Sequence, residues 1–279
     1  MVDGPFPAGP IAAPRASTED VIDARLASGD VRGVRHALVD AARHAPGDQR
    51  VRMFLCQVLC IEGAWDRART HLRALATLSP EAQMLAAAYG QAIEAERQRA
   101  AVIAGDERAS LLVRAGTWAE EFVDALAAVG PDAALLRRRA LDAGPDTPGD
   151  IDGRAFDYLF DADSRFGPMF EAMVAGRWGL IPFAAVEEIT TEGPVDLRDL
   201  VWLPVEIRLR DGAGLAALLP VRYPGTELRD DDALRLARRT EWLEEGDAVH
   251  GLGQHLWTLS DGEDVGILGF RRIRFADRP

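Results

Sequence analysis

A 34-residue repeat constrains the first half of this chain more than any other feature. Residues 26–46, LASGDVRGVRHALVDAARHAP, align with residues 60–80, CIEGAWDRARTHLRALATLSP. Gly29 then falls on Gly63, Val31 on Trp65, Arg35 on Arg69, Leu38 on Leu72 and Pro46 on Pro80. A glycine at a helix–helix turn and a proline after the second helix, at this period, mark tetratricopeptide-like units. Within the units, Val51, Phe54, Leu55, Val58 and Leu59 share one helical face, as do Trp65, Ala68, Leu72 and Leu75. Ser79-Pro80-Glu81 reads as N-cap, first-turn proline and first-turn acid of a further helix running to about Gly105, off the repeat as a capping helix would be. Two more helices, 117–130 and 131–144, meet at a Gly-Pro stop and start. Stacks of this kind commonly present a concave face to a peptide or helix.

After GPDTPGD (144–150) the period changes. Leu203, Val205, Ile207 and Leu209 alternate with Glu206, Arg208 and Arg210, and Asp211-Gly212 predicts a hairpin returning through Leu215 to Leu219. Asp261-Gly262 predicts a second hairpin, and DDDALRLARRTEW (230–242) a helix with three acids at its start. The expected architecture is multidomain: a disordered Pro-rich lead-in over 1–17, a helical repeat domain over 18–143, a linker over 144–150, and a small α+β domain with an antiparallel sheet over 151–279.

Composition removes several chemistries. All 32 basic residues are arginine, so no lysine serves a P-loop or a Schiff base. Residues 1–143 hold 17 Arg against 19 Asp and Glu (−2), and residues 144–279 hold 15 against 26 (−11), which repels nucleic acid and anionic membrane and favours a basic ligand. No apolar run reaches the roughly 20 residues of a membrane span, and the start resembles no export signal, so a cytoplasmic location is expected. Cys56 and Cys60, four apart in a helical pattern, read as small buried residues, because no second Cys/His pair stands at zinc spacing.

The densest polar cluster is DADSRFGPMFEAMVAGRW (161–178). Asp161 and Asp163 resemble the start of a calcium loop, but Arg165, Phe166 and Ala172 stand where that loop needs an oxygen ligand, a glycine and a glutamate. Two readings remain. One is an acidic active site around Asp161, Asp163 and Arg165. The other is an ion-paired entry to a short helix opened by Gly167-Pro168, with Met169, Phe170, Met173 and Val174 as its apolar face and Gly176 as its end. His250 and His255 could be paired metal ligands but stand around a Gly-x-Gly that reads as a turn, as does Arg222-Tyr223-Pro224-Gly225.

Several stretches taken together resemble the ImpE/SciE (TagJ) family of type VI secretion accessory proteins. They are LCIEGAWDRARTHLRAL, TPGDIDGRAFDYLFDADSRFGPMFEAMVAGRW, LRDLVWLP, LPVRYPGTE and DDALRLARRTEW, in family order over about 18–245. The residues matching the signature are Asp161, Asp163, Ser164, Arg165, Gly167, Pro168, Arg222, Tyr223, Pro224 and Gly225. The resemblance implies a helical repeat domain followed by a small α+β domain. It further implies a non-catalytic adaptor that binds the N-terminal helix of the small contractile-sheath subunit and so links the sheath to the ClpV ATPase. It implies no catalytic residue, cofactor or metal.

Overall fold

A computed structural model describes residues 18–78, 80–128, 132–246 and 248–277. The lead-in 1–17, the Ser79 cap and the Gly130-Pro131 stop lie outside them. Seven helices come first: α1 Thr18–Ser28, α2 Val31–His44, α3 Gln49–Ile61, α4 Trp65–Ala76, α5 Pro80–Ile103, α6 Gly116–Ala127 and α7 Ala133–Asp142. The repeat is visible in the turns, where Gly29 and Gly63 take φ of +81° and +67° between α1 and α2 and between α3 and α4. That left-handed backbone is what glycine supplies without strain. Asp30 and Asp48 cap α2 and α3 by accepting backbone N–H bonds.

Thirteen short strands follow among the described residues. Eight form one antiparallel sheet in the order β2 (Arg154–Phe156), β1 (Gly149–Ile151), β13 (Arg272–Phe275), β6 (Val186–Thr190), β7 (Trp202–Leu209), β8 (Gly214–Pro220), β4 (Met169–Val174) and β5 (Arg177–Pro182). A three-stranded sheet holds β3 (Leu159–Asp161), β11 (Leu256–Leu259) and β12 (Asp264–Gly266), and a separate hairpin pairs β9 (Thr240–Glu245) with β10 (Ala248–Gly253). The alternation expected of β7 holds, with Leu203, Val205, Ile207 and Leu209 buried and Pro204, Glu206 and Arg208 exposed. The hairpins at Asp211-Gly212 and Asp261-Gly262 both form.

Two sequence expectations fail. The short helix after Gly167-Pro168 is instead β4, which pairs with β5 across a turn at Ala175-Gly176, both at positive φ. Met169 and Met173 pack towards the helices while Phe170 and Ala172 enter the second core, so β4 is buried on both faces and shows no polar alternation. The helix expected over 230–242 is one turn, α8 (Asp232–Arg235), ended by Ala237 at φ +54° before β9 begins. Its acids act as staples. Asp231 caps α8, Asp232 accepts from Val31 N–H at the start of α2, and Asp230 pairs with Arg32.

One hydrophobic core runs without a break from the helices into the sheet. Leu55, Leu59, Leu72 and Ile93 share it with Met169, Trp178, Trp202 and Tyr223. Trp202 stacks between Trp65 and Tyr89, at centroid distances of 5.9 and 6.0 Å. The apolar face of α3–α5 is thus covered by the chain's own second half.

Candidate functional site

Where the helices meet the sheet, a row of ionisable side chains lies buried. Its centre is Glu171 on β4. Arg99 on α5 donates to both Glu171 oxygens, Nε to Oε1 and Nη2 to Oε2, each at 2.6 Å. Trp178 Nε1 donates to Glu171 Oε1 at 2.9 Å. On the other side His255 Nε2 lies 2.8 Å from Glu171 Oε2, a charge contact out of line for a hydrogen bond, while its Nδ1 lies 2.9 Å from Asp161 Oδ2. Tyr223 Oη donates to Asp161 Oδ1 at 3.1 Å.

The row extends both ways. Arg99 also donates to the Arg222 carbonyl at 2.7 Å, and Arg99 Nη1 reaches Glu96, which accepts from Trp202 Nε1 at 2.9 Å. Arg222 spends its guanidinium on carbonyls of Ile61 (2.7 Å), Cys60 (3.3 Å) and Arg235 (2.8 Å). It therefore satisfies the open C-terminal carbonyls of α3 from the sheet side. Asp163, fully buried, accepts from Gly251 N–H at 2.7 Å and from the Arg165 backbone N–H at 2.9 Å, and pairs with the Arg165 guanidinium. Gly251 is required at that point, since a Cβ there would lie 2.2 Å from the Tyr223 ring.

Burial and pairing compete at each group. Burial works against ionised Glu171, but the Arg99 guanidinium and His255 overcome it and hold the carboxyl down to about 2. Burial would also lower His255, yet Asp161 and Glu171 on either side raise it above its ordinary value. Asp161 and Glu96 are raised, burial being the larger effect at both. Burial lowers Arg222. Glu96, Asp161, Asp163 and Glu171 thus stand beside Arg99, Arg165, Arg222 and His255.

The structure brings half of the signature residues to this seam and the rest beside it. Asp161, Asp163, Arg165, Arg222 and Tyr223 are members. Ser164 closes onto β10, its Oγ donating to the Val249 carbonyl at 3.0 Å. Gly167, at φ +48°, and Pro168 pack against Leu141 and Gly144 at the end of the helical half. Pro224 and Gly225 form a turn beside the seam, with Gly225 at φ +86°. The expected helix entry is absent, but the Asp163–Arg165 ion pair is there. The two histidines part: His255 enters the seam, while His250 stands opposite Leu243 in the β9–β10 hairpin. Among the described residues no group of three His, Cys, Asp or Glu side chains is arranged to hold a metal ion, and no helix is long and apolar enough to cross a membrane.

Arg99, Glu96 and Glu171 were not among the sequence candidates. Their signal is faint but present: Glu96 and Arg99 lie on the same stripe of α5 as Ala92, Ile93 and Ala95, where a soluble helix hides apolar residues.

The ImpE protein family matches residues 153–274, which hold the sheet side of the seam. The Type VI secretion system accessory component TagJ of Pseudomonas aeruginosa is 36% identical over 280 residues, spanning 99% of this chain and 98% of that protein. The chain belongs to the ImpE family. A crystal structure of protein VPA1032 from Vibrio parahaemolyticus shares the fold of this ImpE protein, with a TM-score of 0.81 over 92% of this chain and 98% of that one at 20% identity. Arg99 and Glu96 lie outside the span of the ImpE match and complete the seam from the helical side.

Proposed function

We propose that this ImpE protein is a non-catalytic accessory adaptor of a type VI secretion system. It binds the N-terminal helix of the small contractile-sheath subunit and assists handling of the sheath by the ClpV ATPase, in the cytoplasm and without a cofactor. The observation that carries the accessory role is the similarity to TagJ along the whole chain. The geometry of the acids supports a non-catalytic reading. Asp161, Asp163 and Glu171 are buried, and their oxygens are taken up by His255, Tyr223, Arg165, Gly251 N–H, Arg99 and Trp178. A general acid or base must reach the proton it transfers, and these carboxylates meet only their own chain. The alternative, an enzyme with an acidic site around Asp161, Asp163 and Arg165, gains no support from that packing.

The test is a synthetic peptide of the sheath subunit's N-terminal helix, titrated into the full chain by fluorescence anisotropy. Binding at about micromolar Kd or tighter is expected, the range of ordinary helix-in-groove contacts. A sheath subunit that bound equally well without that helix would overturn the reading.

A further inference from the structure

Two cavities flank the turn that carries Ser164 and Arg165. One, about 360 Å³, lies between the end of α5, α6 and the turn, with Val102, Val123, Leu126 and Trp178 among its walls. The other, about 310 Å³, lies between the Pro224-Gly225 turn and the β9–β10 hairpin, walled by Leu228, Leu243 and Leu252. Arg165 and His250 line both and form the ridge between them. Each volume is at the small end of the range that takes a ligand group. Beside the second cavity Leu228 is 82% exposed and Leu243 41%, apolar surface that the described residues leave uncovered.

The charges around the cavities run against the balance of the whole chain. Arg137 lines the first and Arg229 the second, Arg165 lines both, and among the described residues Glu107 is the one lining acid. Asp163 takes up Nε and Nη2 of Arg165, and Nη1 has no acceptor among the described residues. Arg137 bonds the Ala128 carbonyl but, like Arg229, meets no carboxylate among the described residues. The acidic second half predicts a basic ligand; these lining side chains call for an acidic one.

We propose that the two cavities form one docking site for a polypeptide segment carrying two large apolar side chains on either side of a carboxylate. The apolar groups enter the cavities and the carboxylate meets Arg165 on the ridge, with Arg137 and Arg229 flanking. A ligand that straddles a ridge must be extended, which selects a polypeptide over a compact metabolite. The inference rests on the adaptor reading only in expecting a protein partner, and it gives that partner a chemistry and an address.

A randomised 16-residue peptide-display library, selected on the full chain, tests it. Enriched peptides should carry an acid between large apolar residues. Their affinity should fall about tenfold or more on Leu126→Trp, which fills the first cavity, and on Leu243→Asp, which charges the second. Arg165→Gln should weaken them severalfold, and Arg229→Gln supplies the same charge test without touching Asp163. Circular dichroism and thermal melts establish that each variant is folded. No enrichment, or enriched peptides that bind all folded variants alike, would overturn the site. The sheath-subunit helix is titrated in parallel. If it fails on the wild-type chain while the selected peptides obey the pattern, the sheath assignment falls and the docking site stands.

Discussion

Arg99 on α5 and Glu171 on β4, 72 residues apart in the chain, meet through two parallel hydrogen bonds of 2.6 Å with both side chains buried. This fork-to-fork contact joins the helical stack to the sheet. Removing the arginine strands a carboxylate in the interior. Arg99→Met should therefore lower stability by about 3 to 5 kcal/mol, as breaking one side of a buried pair does. Urea denaturation measures it. A loss below about 1 kcal/mol, the scale of an exposed pair, would show that the seam is wetter than its packing implies.

The pH profile follows from the two groups that face each other beside that pair. His255 holds its proton more tightly in the fold than at its ordinary 6.5, so its stabilisation is complete below about 6.5 and is lost as pH rises through the raised folded value. Glu171, held at about 2 against an ordinary 4.5, stabilises above 4.5, and that share disappears as pH falls towards 2. Asp161 and Glu96, raised by burial, carry the opposite sign: their share is present below their ordinary values and is lost as pH rises through the raised ones. An alkaline decline that His255→Gln flattens is expected. Urea midpoints from pH 4 to 9 decide the matter, and superimposable curves for the two proteins would refute it.

Asp163 organises the signature turn. Replacing it with alanine leaves Gly251 N–H and the Arg165 guanidinium without their acceptor. The cost should be about 1 to 3 kcal/mol for a buried donor left unpaired. Should Asp163→Ala melt with the wild type yet lose a bound peptide, the turn would be a contact surface instead.

At Gly251 the Tyr223 ring occupies the space of a side chain. Gly251→Ala should cost about 1 to 3 kcal/mol through overpacking. In a Tyr223→Leu background the same change should cost less, because the clash is with the ring; equal costs in both backgrounds would place the strain elsewhere.

Local features of the fold were legible where one residue's backbone or one alternation decides them. Gly29 and Gly63 mark the repeat because both take the left-handed backbone that turns one helix of a pair onto the next. β7 could be read because one of its faces meets water. β4 could not, since both faces are buried and its apolar run fits a helix as well as a strand. The 230–242 segment misled because its three acids suit a helix start, but Asp231 alone caps α8, while Asp232 accepts from Val31 at the start of α2 and Asp230 pairs with Arg32. Of the seam, the DADSR and RYPG motifs were visible as clusters. Arg99 and His255 were not seen as partners of Glu171 or Asp161, because 72 and 94 residues separate the pairs. No local pattern encodes such a meeting; the docking of α5 against the β4–β5 hairpin and the pairing of β3 with β11 create it.

The covered face of α3–α5 has a consequence during synthesis. The helical half leaves the ribosome first, and Arg99 must wait for the Arg222 carbonyl, 123 residues later, a delay of about 6 to 25 s at ordinary translation rates. Over most of that interval the nascent helices display Trp65 and Tyr89 without Trp202. Glu96 and Arg99, on the same stripe, keep that waiting surface hydrated rather than bare and greasy. The charges later locked into the seam must therefore shed their water when the sheet arrives.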